Sequence, residues 1–158
     1  HVSLALYRQA QLLDFDITIL EDRPHFAGKE RFPGATVIEA DVATSIASID
    51  YGWHTFLVIA TRGHQHDTVI AAQLAPRSLR YLGMLGSRRK VAMTAGVLRS
   101  WSVEQEAIDR MHAPVGLSIG ANTPEEIAIS VVAEMIAVRR DGSRRRGGVP
   151  QVGAEASS

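Results

Sequence analysis

The stretch Thr55-Phe56-Leu57-Val58-Ile59-Ala60 is apolar or β-branched throughout, with no alternation of polar side chains. A strand with one wet face alternates, whereas an unbroken apolar strand is covered on both faces, as in a parallel sheet between helical layers. The rest of the chain has to supply those layers.

It does so in sequence order. Apolar residues Val2, Ala5, Leu6, Ala10 and Leu13 fall at helical spacing. Residues 15–20 read as a buried strand and 36–39 as a short one. Residues 41–49 read as a short helix with Asp41 as its cap, and a helix is expected over 67–74. Residues 80–85 read as a buried strand that runs into a Gly86-Ser87 turn, followed by helices over 88–101 and 103–111, the latter capped by Ser102. Residues 114–119 suit a short strand. Thr123-Pro124-Glu125-Glu126 is a well-formed helix start, with a cap, a proline at the first position and a glutamate placed to reach back. The helix it opens runs to about residue 139 and is apolar on more than one side, so it is substantially buried. This alternation predicts an α/β, doubly wound, mostly parallel sheet. One domain is expected over residues 1–140, with a flexible tail over 141–158. Because the chain opens on a helix, a strand before it is expected to be missing, and the chain reads as a fragment of a longer protein.

Seventeen basic and seventeen acidic side chains cancel, so no global field argues for nucleic acid or a membrane surface. The absence of cysteine excludes disulfides, thiolate metal sites and a cysteine nucleophile within the chain, and fits a cytoplasmic protein. No run approaches a membrane span.

In open parallel sheets ligands bind beyond the carboxyl ends of the strands. Those ends carry Glu21-Asp22-Arg23, Thr61-Arg62-Gly63-His64, Gly86-Ser87-Arg88-Arg89 and Gly120-Ala121-Asn122. Four loops rich in glycine, hydroxyls and cations therefore converge on one edge. Glu21 or Asp22 stands where a carboxylate accepts hydrogen bonds from a nucleotide ribose, although acids in turns after strands are also common. Arg88, Arg89 and Lys90 lie in a first helical turn, against the positive end of the dipole. Either they point into water, or an anion held by the free N–H groups of that turn removes the conflict. His64, His66 and Asp67 invite comparison with a metal site, but they lack a further ligand. A small-molecule contact and ordinary helix capping are the other readings of that segment. No catalytic residue is assigned.

Three segments taken together carry a resemblance. Residues 81–90, Tyr-Leu-Gly-Met-Leu-Gly-Ser-Arg-Arg-Lys, then 114–121, Pro-Val-Gly-Leu-Ser-Ile-Gly-Ala, then 123–134, from Thr123 to Glu134, are similar to the C-terminal Rossmann domain of the XdhC/CoxI family. Asp22-Arg23-Pro24, Arg31-Phe32-Pro33 and Arg62-Gly63-His64 follow the same pattern. The resemblance implies an accessory factor for xanthine dehydrogenase or carbon monoxide dehydrogenase. Such a factor binds molybdenum cofactor (molybdopterin), protects it during sulfuration by a cysteine desulfurase and helps insert it into a molybdenum hydroxylase. The Gly-x-Gly turn and the cysteine-bearing N-terminal domain of such proteins are not in this sequence. Asp22, Arg23, Thr61, Arg62, His64, Gly86, Ser87, Arg88, Arg89 and Gly120 are the candidate cofactor-binding residues. The fold pattern alone would equally suit an NAD(P)-dependent oxidoreductase domain, and a homodimer is a further expectation.

Overall fold

A computed structural model of the 158-residue chain describes residues 1–141. Its elements are α1 (Val2–Gln11), β1 (Thr18–Glu21), β2 (Thr36–Glu39), α2 (Val42–Ser45), β3 (Phe56–Ile59), α3 (His64–Leu74), β4 (Tyr81–Met84), α4 (Arg88–Ser100), α5 (Gln105–Asp109) and α6 (Pro124–Arg140). Short 3₁₀ turns lie at Lys29–Arg31 and Ile46–Ser48. The expected tail lies outside the described residues apart from Asp141.

Among the described residues all strand pairing is parallel, as the unbroken apolar run of residues 55–60 leads one to expect. β1 pairs with β2, Thr18 opposite Thr36 and Glu21 opposite Glu39; β3 pairs with β4, Phe56 opposite Tyr81 and Ile59 opposite Met84. Among the described residues the two pairs form separate two-stranded sheets.

The β3–β4 pair shows why alternation is absent. Leu57, Ile59, Leu82 and Met84 face one cluster with Ile70 and Leu74 of α3, Leu98 of α4 and Ala107 of α5. Phe56, Val58 and Tyr81 face the other, with Val131 and Met135 of α6 and Leu6 of α1. Each face is covered, so neither can be polar. Leu20 of β1 packs on the first cluster, joining the second strand pair to the same core.

Several boundaries differ from expectation: β1 begins at Thr18 and not at residue 15, and α2 gives way to a 3₁₀ turn after Ser45. α3 begins at His64 with Gly63 as its N-cap, three residues before the expected start, so His64 and His66 belong to its first turn. α5 begins at Gln105 behind Glu104, because Ser102 is not a cap: it takes φ 63° and its N–H bonds back to the Arg99 carbonyl, closing α4. The strand expected over 114–119 does not form: a single parallel bridge lies just before it, between Gly83 and His112, followed by a Val115 N–H bond to the Met84 carbonyl at 3.0 Å. Pro114 has no N–H to extend a ladder, and Gly116 at φ 95° turns the chain away.

α6 starts as its sequence dictates. The Thr123 hydroxyl accepts from Glu126 N–H at 3.2 Å, and the Glu126 carboxylate accepts from the Thr123 and Asn122 N–H groups at 3.0 and 2.8 Å. Farther along, Glu134 is fully buried and takes the Tyr81 hydroxyl at 2.7 Å and the Gly116 N–H at 3.1 Å on one oxygen, with His112 Nδ1 3.4 Å away. The Tyr81 ring stacks on His112, centroids 4.5 Å apart. This carboxylate ties α6 to β4 and to the turn at Gly116.

Candidate functional site at the carboxyl edge of the strands

Beyond β1, Glu21 and Arg23 lock together. The Glu21 carboxylate accepts from Arg23 Nε at 2.8 Å, Nη2 at 2.9 Å and backbone N–H at 3.1 Å. Those bonds hold the Glu21 carboxyl below its ordinary range, against the opposing effect of burial. Both oxygens are engaged, so Glu21 is a poor ribose acceptor as it stands. Asp22 is exposed, 3.9 Å from Arg23 Nε.

The loop after Asp22 folds onto α1. Tyr7 donates its hydroxyl to the Pro33 carbonyl, Gln11 bonds the same oxygen at 2.9 Å, and buried Phe32 meets the Tyr7 ring edge-on. This fastening presents Phe26 toward the strand ends. The Arg23 guanidinium lies 4.2 Å from the Phe26 ring centre, that of Arg31 5.1 Å and that of Arg62 5.5 Å. Arg62 follows β3, so the β1 and β3 loops meet on this ring.

The β3 and β4 loops meet on Asp67. Asp67 is fully buried; Thr61 donates its hydroxyl to one oxygen, and Lys90 of α4 donates its ammonium to the other and to the Leu85 carbonyl at 3.3 Å. A carboxylate buried this way is a structural ion-pair partner, not an open metal ligand. Among the described residues no three His, Asp or Glu side chains gather as around a metal ion. Ser87 caps α4 by accepting from Lys90 N–H at 3.2 Å. Of the three cations in that first turn, Lys90 turns inward to Asp67 while Arg88 and Arg89 remain exposed. A Cβ on Gly86 would come within 2.8 Å of Lys90 Cδ, so the glycine makes room for that inward turn.

The structure thus joins Arg23, Arg62, Thr61 and the Gly86–Ser87 turn along one line of contacts. Gly120 stands apart: it is exposed, at φ 75°, with open space about it. His64 opens α3 beside Thr61, its Nδ1 buried without a partner. Arg23 Nη1 and Arg31 Nε are also buried without partners, and among the described residues the fourth such atom is Thr94 Oγ1 within α4. Buried polar groups are nearly always hydrogen-bonded, so three unpaired ones at one edge make it the candidate site for a polar ligand. The two guanidinium nitrogens suit an anion, as phosphate-bearing cofactors provide.

Phe26 and Arg31 are not among the candidate binding residues read from the sequence, and the sequence does not show that Asp67 and Lys90 pair with each other. A trace was present, since Arg23-Pro24-His25-Phe26 and Lys29-Glu30-Arg31-Phe32 interleave cations with aromatics in one loop. For the pairing of Asp67 with Lys90 no local signal exists, because the partners lie 23 positions apart.

The family model for the XdhC Rossmann domain matches residues 1–135. The uncharacterized protein YqeB of Escherichia coli strain K12 is 36% identical over 143 residues, covering 89% of this chain and 26% of YqeB. A protein of Bacillus subtilis strain 168 described as a probable xanthine dehydrogenase component is 35% identical over 127 residues, covering 80% of this chain and 36% of that protein. The chain therefore spans about a quarter to about a third of the length of these relatives. A crystal structure described as a xanthine dehydrogenase from Bacillus halodurans superposes with TM-score 0.78 and 31% identity, over 94% of this chain and 42% of that one. With a Rossmann-like fold and a family match over residues 1–135, the chain belongs to the XdhC Rossmann domain family.

Proposed function

We propose that this domain is the cofactor-binding part of an accessory factor serving a molybdenum hydroxylase of the xanthine dehydrogenase type. It holds the phosphorylated tail of molybdenum cofactor, or a nucleotide, along the carboxyl edge of its strands. The observation that carries this reading is the set of partnerless buried atoms Arg23 Nη1, Arg31 Nε and His64 Nδ1 in loops that converge there. The tail lies between the Gly86–Ser87 turn, where Arg88 and Arg89 are free to close on it, and the Arg23–Arg62 end. When bound, the cofactor supplies the metal centre of the enzyme that finally receives it. This domain's part is to bind and orient it while a cysteine desulfurase completes it. The names of the Bacillus relatives support the partner, and the geometry supports an anionic ligand.

The test is calorimetric titration of the full-length protein with molybdopterin, before and after Arg88→Ala/Arg89→Ala. A lost charge-assisted hydrogen bond is worth roughly 1.5–3 kcal/mol, or about tenfold or more in affinity. Unchanged affinity in a folded double variant would remove those arginines from the site. Failure of the unaltered protein to bind would remove the function.

A further inference from the structure

The arginines around Phe26 demand an explanation of their own. Three guanidinium groups lie within 6 Å of one ring centre. Attraction to a shared ring does not cancel the repulsion among them. Arg23 is paired with Glu21, but none of the ion pairs among the described residues includes Arg31 or Arg62. Arg31 Nε and Arg23 Nη1 are buried with nothing to donate to. Meanwhile the carboxylate that closes β1 is consumed by Arg23, so this strand end is built to receive an anion and not the hydroxyls of a ribose.

We infer that Arg23, Arg31 and Arg62, set around Phe26, form a subsite for a terminal phosphate monoester. This deepens the reading above and rests on it, since it states which end of a phosphorylated cofactor lies here. A monoester carries about two negative charges near neutral pH and offers three oxygens, which suits several guanidinium forks at once. A phosphodiester inside a dinucleotide carries one charge and has no free end to insert. The domain therefore prefers ligands that end in a phosphate monoester, such as molybdopterin itself or a 2′-phosphorylated adenine dinucleotide, over ligands whose phosphates are all internal.

The experiment titrates the full chain with NADP⁺ and NAD⁺, which differ by that one group, and with molybdopterin against its cytosine dinucleotide form. Binding of NADP⁺ at least about tenfold tighter than NAD⁺, with the difference abolished by Arg31→Ala and by Arg62→Ala, is the expected result. Arg31→Lys should restore only part of it, because an ammonium lacks the planar fork. Equal affinities within each pair, no binding of any of the four ligands, or a preference untouched by Arg31→Ala would overturn the inference. The molybdopterin pair separates the two proposals. Binding of molybdopterin without monoester discrimination leaves the cofactor role standing and removes this subsite. Discrimination between NADP⁺ and NAD⁺ without molybdopterin binding does the reverse.

Discussion

Replacing Tyr81 with phenylalanine removes one hydroxyl from the centre of the molecule and leaves the ring in place. The hydroxyl is buried and donates to the Glu134 carboxylate at 2.7 Å; the ring keeps its stacking on His112 and Phe56. Burial raises the phenol's pKa, and the neighbouring carboxylate raises it further, so the hydroxyl stays a protonated donor across the working range. A hydrogen bond to a charged group is worth roughly 1.5–3 kcal/mol, and no cavity beyond one oxygen is left, so about 2 kcal/mol is expected. For a chain of this size that lowers the thermal midpoint by about 4–8 °C, and it moves the urea midpoint by about 1 M for a slope near 2 kcal/mol/M. The loss should depend on pH. Burial pushes the Glu134 carboxyl up, but bonds from His112 and Tyr81, the charge of His112 and the Gly116 N–H outweigh it, so its folded value lies below the ordinary 4.5. Stability from this carboxylate is therefore present above about that ordinary value and fades as pH falls through the folded value. The Tyr81→Phe difference should shrink in the same window. Urea titrations of both proteins across pH 3–7 measure it. An unchanged midpoint and slope at pH 7 would show that Glu134 does not hold α6 as argued.

Five further substitutions probe the scaffold. Lys90→Met leaves fully buried Asp67 with only Thr61, and should cost about 3 kcal/mol in a urea titration, with Asp67→Asn milder; equal costs would refute the ion-pair account. Gly116→Ala forces a side chain into φ 95° and a Cβ onto Ser130 Oγ, with Val131 N only 3.2 Å away. It should cost about 2–4 kcal/mol. Gly120→Ala meets a similar φ in open space and should cost about 1–2 kcal/mol, so thermal midpoints of the pair separate packing from backbone strain. Thr123→Ala breaks the capping box and should cost about 1 kcal/mol, read as faster hydrogen exchange in the first turn of α6.

What the sequence alone determined was whatever depends on neighbours in the chain. The start of α6 is legible because a cap, a proline and a returning glutamate act within four positions, and the covered β3–β4 pair is legible because an unbroken apolar run can satisfy its faces in few ways. The convergence of the loops at Asp22, Arg62 and Ser87 follows from parallel topology. Local signals were misleading where a backbone group did the capping. Gly63 begins α3 without a side-chain bond, and Ser102 serves the end of α4 instead of the start of α5. Tertiary structure alone decided the destinations of the charges. Lys90 turns inward to Asp67 while its neighbours Arg88 and Arg89 stay in water, Glu134 lies buried in an apolar helix against Tyr81 and Gly116, and three arginines from two loops share Phe26. A long charged side chain has no periodicity that reveals its partner. Its position is set by the nearest opposite charge or donor once remote segments have packed, and that distance exists only in the folded chain.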